Sequence, residues 1–134
     1  MRQRVPKNSG SEIIAVLASG GADSACLLMW AACRGAPSRV QPIYVSSGLS
    51  WESAELRALG KFLRAIRRKN ILAPAVLRLP AGDLYRGHWS LTGKKVPDGR
   101  SDDAEVYLPG RNLLLLSKAA VYCAARNIRT IAIG

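Results

Sequence analysis

Two kinds of apolar pattern alternate along this chain. Residues 13–18, Ile13-Ile14-Ala15-Val16-Leu17-Ala18, form a continuous apolar run rich in β-branched side chains, which predicts a strand buried on both faces. Residues 25–34 follow as an almost wholly apolar helix, with Gly35 placed to end it. Residues 39–45 read as a second strand, flawed by Pro42, because proline brings no N–H to a ladder. Residues 52–69 are an amphipathic helix in which Leu56, Leu59, Phe62, Leu63 and Ile66 recur at helical spacing. Arg57, Lys61, Arg64 and Arg68 make a basic stripe on another face of it, read as a solvated surface, with an RNA-facing surface as the sharper alternative. Residues 75–79 predict a third strand, 112–126 a further helix and 130–133 a fourth strand. Between them, residues 80–110 show no period and hold many glycines, prolines and charges; so long a loop inside a compact domain is usually functional.

Strands alternating with helices require βαβ crossovers. The expected fold is therefore α/β: a doubly wound, Rossmann-like, mostly parallel sheet with helices on both faces and strand order about 3-2-1-4. Such sheets bind ligands at the carboxyl ends of their strands. The loops after the first three strands are then the place to look for chemistry. Residues 1–11 are polar and basic and read as a flexible lead-in; residues 12–134 read as a single domain.

Composition narrows the partners. With 134 residues, 49% of them hydrophobic and 22% charged, the chain has enough apolar surface for one core, which excludes disorder over most of its length. No apolar run approaches the roughly 20 residues of a membrane-spanning helix, and the run after the basic N-terminus is too short for a signal peptide, so a cytoplasmic location is expected. The three cysteines, Cys26, Cys33 and Cys123, include no C-x-x-C pair, and so sparse a set fits a reducing compartment. Cys26 and Cys33, seven apart on one face of the first helix, read as small buried hydrophobes. A formal net charge of +11 favours anionic partners such as nucleotides or RNA.

The segment Ser19-Gly20-Gly21-Ala22-Asp23-Ser24 carries the chemistry. A glycine pair between a buried strand and a helix start lets backbone N–H groups approach a phosphate, and the helix N-terminus adds positive partial charge. Ser19 and Ser24 add hydroxyl donors. Neither G-x-x-x-x-G-K-[ST] nor G-x-G-x-x-G is present, which excludes the two commoner cradles. Asp23 has two readings, a magnesium-positioning carboxylate or a helix cap.

This segment resembles the S-G-G-x-D-S signature of the PP-loop ATP pyrophosphatases, which have the adenine nucleotide alpha hydrolase-like fold. Ser90-Leu91-Thr92, the stretch Tyr107-Leu108-Pro109-Gly110-Arg111-Asn112-Leu113 and Glu55-Leu56 are similar to the S-x-L-T, V-P-[AG]-R-N and E-L elements of the 7-cyano-7-deazaguanine synthase family within that superfamily. The resemblance covers residues 13–134. It implies ATP and magnesium as cofactors, with Ala18, Ser19, Gly20, Gly21, Ala22, Asp23, Ser24 and Arg111 binding the nucleotide, and Asp23 and Arg111 catalytic. It also implies the reaction: adenylation of 7-carboxy-7-deazaguanine, displacement of AMP by ammonia to give the amide, and a second activation leading to the nitrile. The deazapurine acid and ammonia are then the small-molecule partners, and a homodimer is left open.

Two departures stand out. Ser46-Ser47-Gly48-Leu49-Ser50-Trp51 lacks the family's Y-G-Q-R-H spelling. The family's second half, with its Y-P-D-C-R stretch and zinc-binding cysteine cluster, has no counterpart here, so the domain is expected to be incomplete at its C-terminal end and to hold no zinc site. A PP-loop enzyme acting on tRNA is a second, less favoured reading that would suit the positive charge, and a non-catalytic nucleotide-binding fragment is a third. Among single residues, Arg111 could be a surface ion pair and Asn112 a helix cap. His88 is either a proton relay or an ordinary loop histidine. Trp51 and Tyr107 could stack on a base or fill a core, and Lys94 and Lys118 are weaker site candidates.

Overall fold

In the computed structural model, residues 12–34, 38–98 and 107–134 are described. The elements run β1 (Ile13–Leu17), α1 (Ala22–Ala32), β2 (Arg39–Ser46), α2 (Glu52–Ile66), β3 (Ala75–Arg78), a one-turn helix α3 (Trp89–Thr92), α4 (Arg111–Ala124) and β4 (Thr130–Ala132). All three strand pairings are parallel and the order is β3-β2-β1-β4, as the alternating pattern requires. Among the described residues no helix is long and apolar enough to cross a membrane.

The side-chain alternation of β1 sorts the core into two layers. Ile14, Val16 and Ala18 pack with Leu28 and Ala31 of α1 and Leu59 of α2. Ala15 and Leu17 pack on the opposite face with Ala119 and Cys123 of α4. The sheet is thus covered on both sides, which is why its two central strands tolerate no polar alternation.

Pro42 lies in β2, which is a central strand, between β1 and β3. Its missing donor falls on the β3 side, where Val40 N–H donates to Asn70 O at 2.8 Å two residues earlier. The carbonyl that a residue 42 N–H would reach there, Ala73 O, accepts instead from Gln41 Nε2 at 2.9 Å. The same amide donates to Pro42 O at 2.9 Å. A neighbouring side chain thus replaces the lost ladder bond, which is how a proline is accommodated away from a sheet edge.

Three expectations need correction. Cys26 and Cys33 are exposed, and only Cys123 is buried. The buried positions of α1 are Ser24, Leu28, Ala31 and Ala32, so Cys26 sits on the opposite side of the helix and Cys33 lies at its C-cap. α1 begins at Ala22, three residues before the apolar pattern does, and α2 ends at Ile66 because Arg67 turns left-handed, with φ 43°. The one-turn α3 lies within the stretch read as a loop; four residues are too few to display a period. The expected cap at Gly35 lies outside the described residues.

Candidate active site at the carboxyl ends of β1 and β2

Strand order reverses between β1 and β4, and at that switch point a cleft of about 190 Å³ opens. Leu17 and Ala18 at the end of β1, Tyr44 and Val45 of β2 and Ile133 after β4 form its base. Ser19, Gly21, Ala22, Asp23 and Ser24 form one wall, and Arg111 and Asn112 at the start of α4 face them. Of the eight residues that the resemblance assigns to the nucleotide, all but one therefore line this cleft.

That exception is Gly20, which is set against α2. A Cβ there would lie 2.5 Å from Glu55 O and 3.0 Å from Leu59 N, and its φ is +84°. Glycine is required at this position by close packing and by backbone conformation. Gly21 is different. It is the N-cap of α1 with φ −78°, and its Cβ position meets only Ser19 Oγ, at 3.5 Å. The second glycine therefore leaves room on the cleft side.

No side chain caps α1. Asp23 is an exposed residue of its first turn, so the capping reading of Asp23 fails: it lies inside the helix, past the cap position. Ser24 Oγ turns back to donate to Gly21 O at 3.0 Å, and Ser19 Oγ accepts from Gly21 N at 3.4 Å. The leading N–H groups of the helix, which have no partner within the helix, point toward the cleft end of the molecule.

The cap reading of Asn112 fails likewise. Gly110, left-handed at φ 69°, is the N-cap of α4, and Asn112 stands in the first turn. Arg111 Nε is buried and has no hydrogen-bond partner among the described residues. A buried guanidinium donor at a helix N-terminus is doubly unfavourable, because the helix dipole repels the cation and the N–H goes unsatisfied; an anion in the cleft removes both costs.

Two carboxylates support the site: Glu55, seen in the sequence only as part of an E-L element, lines the cleft, and Glu52 carried no reading there. Glu52 is buried and accepts from Ser46 Oγ at 2.6 Å, Ser47 N at 2.6 Å and Gly48 N at 3.0 Å. It ties the loop after β2 to the first turn of α2. Glu55 accepts from Tyr44 Oη at 2.7 Å. Burial, the bond to Glu55 and the charges of Glu55 and Glu52 push the Tyr44 phenol above the usual tyrosine range, and Arg111 partly offsets them. An acidic residue shortly after a Ser-Ser-Gly turn was the only local hint of this support.

Of the remaining candidates, His88 serves structure. Its Nδ1 accepts from Ser90 N at 3.2 Å, capping α3, and lies 2.7 Å from Ser90 Oγ. His88, Lys94 and Lys118 do not line the cleft, and the basic stripe on α2 is exposed. Trp51, Tyr107 and the unforeseen Trp89 line a second cleft beside the first, which shares Arg111 and Asn112 with it.

The chain is 34% identical over 128 residues to 7-cyano-7-deazaguanine synthase 1 of Desulfitobacterium hafniense, a match covering 93% of this chain and 56% of that protein. It spans little more than half the length of this relative. The family model described as queuosine biosynthesis protein QueC matches residues 13–134, the whole of the folded region, and the chain belongs to that family.

Proposed function

We propose that the cleft at the switch point binds ATP, and that the protein adenylates the carboxylate of 7-carboxy-7-deazaguanine and converts it with ammonia to the amide and then the nitrile. The observation that carries this reading is the uncapped N-terminus of α1 facing Arg111 across one cleft. First-turn N–H groups and a planar, permanently charged fork are the donors that a departing pyrophosphate needs.

The chemical logic is leaving-group activation. A substrate carboxylate oxygen bonds to the α-phosphorus while the bond to the β-phosphate oxygen breaks, and pyrophosphate leaves with the electron pair. Ammonia then attacks the acyl carbon, AMP leaves, and a proton is lost from nitrogen; a second ATP adenylates the amide oxygen, and AMP departs with that oxygen as the nitrogen gives up its two protons to leave the nitrile. Arg111 neutralises charge as pyrophosphate departs, and Ser19 and Ser24 orient phosphate oxygens. Asp23, exposed on the cleft wall, fits a magnesium ion held mainly by phosphate oxygens and water, and such an ion would supply further charge neutralisation. Among the described residues no three His, Cys, Asp or Glu side chains are grouped as a metal site.

The test identifies the product nucleotide, with 7-carboxy-7-deazaguanine and ammonia as co-substrates. AMP and pyrophosphate are expected only when the acid is present. Asp23→Asn removes most of the rate while leaving the thermal transition in place, since Asp23 is exposed and caps nothing. ADP as the sole nucleotide product overturns the reading. AMP formed with tRNA but not with the acid transfers the assignment to a tRNA-modifying enzyme.

A further inference from the structure

The second cleft, about 610 Å³, is walled by an aromatic pair that the sequence does not place together. Trp51 precedes α2 and Trp89 opens α3, yet their ring centroids are 5.2 Å apart, tilted by 33°. The backbone fixes this meeting: Ser50 N donates to Ser90 O at 2.7 Å, directly beside both tryptophans. Trp51 adjoins the clamped Glu52, and the His88 ring, itself bonded to Ser90, lies 5.6 Å from Trp89. Both indoles remain only half-buried, on the wall of an open cleft.

Arg111 lines both this cleft and the nucleotide cleft, and its Nε, like His88 Nε2, is a buried side-chain nitrogen without a partner among the described residues. A ligand in the second cleft therefore meets an aromatic platform at one side and a cation at the other. The cleft's volume lies within the range of small-molecule sites.

We propose that this cleft is the acceptor subsite, where a planar bicyclic heteroaromatic acid lies against the Trp51–Trp89 pair with its carboxylate toward Arg111. The inference rests on the ATP-dependent reading above. It adds the residues that select the acceptor. Flat rings of large area stack on indole whatever their substituents, and the carboxylate requirement is set by a guanidinium. The arrangement also delivers the carboxylate to the wall shared with the nucleotide cleft, the side from which it would be activated.

Calorimetric titration of the protein with 7-carboxy-7-deazaguanine, and separately with ATP, tests the assignment. Trp51→Leu and Trp89→Leu are expected to weaken the acid by about tenfold each, the size of a lost base–aromatic stack. Trp51→Phe, which keeps a π face, is expected to retain most of the affinity. A purely structural role would instead lower the thermal transition of the leucine variants in step with the loss of acid affinity. ATP affinity is expected to be unchanged in all three, and Trp30→Leu, on the exposed side of α1, is expected to change neither ligand. Acid affinity unaltered in both folded leucine variants overturns the proposal. So does a parallel loss of ATP affinity, which would make the platform an adenine site. A wild-type protein that binds ATP but no acid overturns the acceptor assignment and leaves the nucleotide cleft standing; one that binds no ATP overturns both readings.

Discussion

The loop after β1 and the loop after β2 reach the same end of the sheet and are built in opposite ways. The first, Ser19 to Ser24, is spelled by a recognisable signature, is mostly exposed and ends at a helix with no side-chain cap. The second, residues 47–51, has no such signature, yet Ser47 and Leu49 are buried and its N–H groups at Ser47 and Gly48 are both taken by Glu52. Protein takes up the N–H groups of the second loop; in the first, no side chain caps α1, which suits the proposed ligand. A binding loop keeps its donors open only if something else holds it in place, and here α2 does so for both loops. Glu55 and Leu59 offer their backbone to Gly20, and Glu52 offers its carboxylate to the neighbouring turn.

The largest expected effect therefore falls where the open loop is fastened. Gly20→Ala forces a methyl group to within 2.5 Å of Glu55 O and holds alanine at φ +84°. Left-handed strain together with a backbone collision that cannot relax by a rotamer change should cost about 3 kcal/mol or more. Urea unfolding should show it as a drop in midpoint with little change in slope. A near-native midpoint would mean that the loop is not held by this contact. The next effect falls on the closed loop. Glu52→Ala removes both oxygens and leaves the N–H groups of Ser47 and Gly48 and the hydroxyl of Ser46 without their acceptor. Hydrogen bonds to a buried charge imply a loss of about 2 kcal/mol, with the exchange protection of the Ser47 and Gly48 amides falling first. Protection lost equally throughout the sheet would contradict a local clamp.

The same contrast explains what could be read in advance. The β1 run and the following glycines are local signals, so the strand and the turn into α1 needed only neighbouring residues, and the parallel sheet followed from the alternation of strands and helices along the chain. The phase of α1 did not, because a helix apolar on nearly every side does not announce which face is buried; Cys26 was placed on the wrong one. Pro42 argued against a central strand because its replacement donor, the Gln41 amide, acts on a carbonyl 32 residues away. Glu52 looked like any acidic residue at a helix start until its bonds to Ser46, Ser47 and Gly48 were seen. The Trp51–Trp89 pair depends on one backbone bond between segments 40 residues apart, which no local pattern encodes.

The smallest expected effect on stability comes with the sharpest effect on binding, at the glycine next to the fastened one. Gly21→Val introduces a β-branched side chain at φ −78° and ψ 170°, extended geometry that valine adopts readily. Its Cβ meets only the Ser19 hydroxyl at 3.5 Å. The cost is limited to a poorer N-cap, about 1 kcal/mol at most. The added methyl groups stand on the cleft wall, where phosphate oxygens must approach the first N–H groups of α1. Wild-type protein should gain thermal stability with rising ATP in the manner of a ligand that binds only the folded state, whereas the valine variant should begin near the wild-type transition and stay there. A variant that still rises with ATP would show that Gly21, like Gly20, serves the packing of the loop and not the ligand, and the division of labour between the two glycines would be lost.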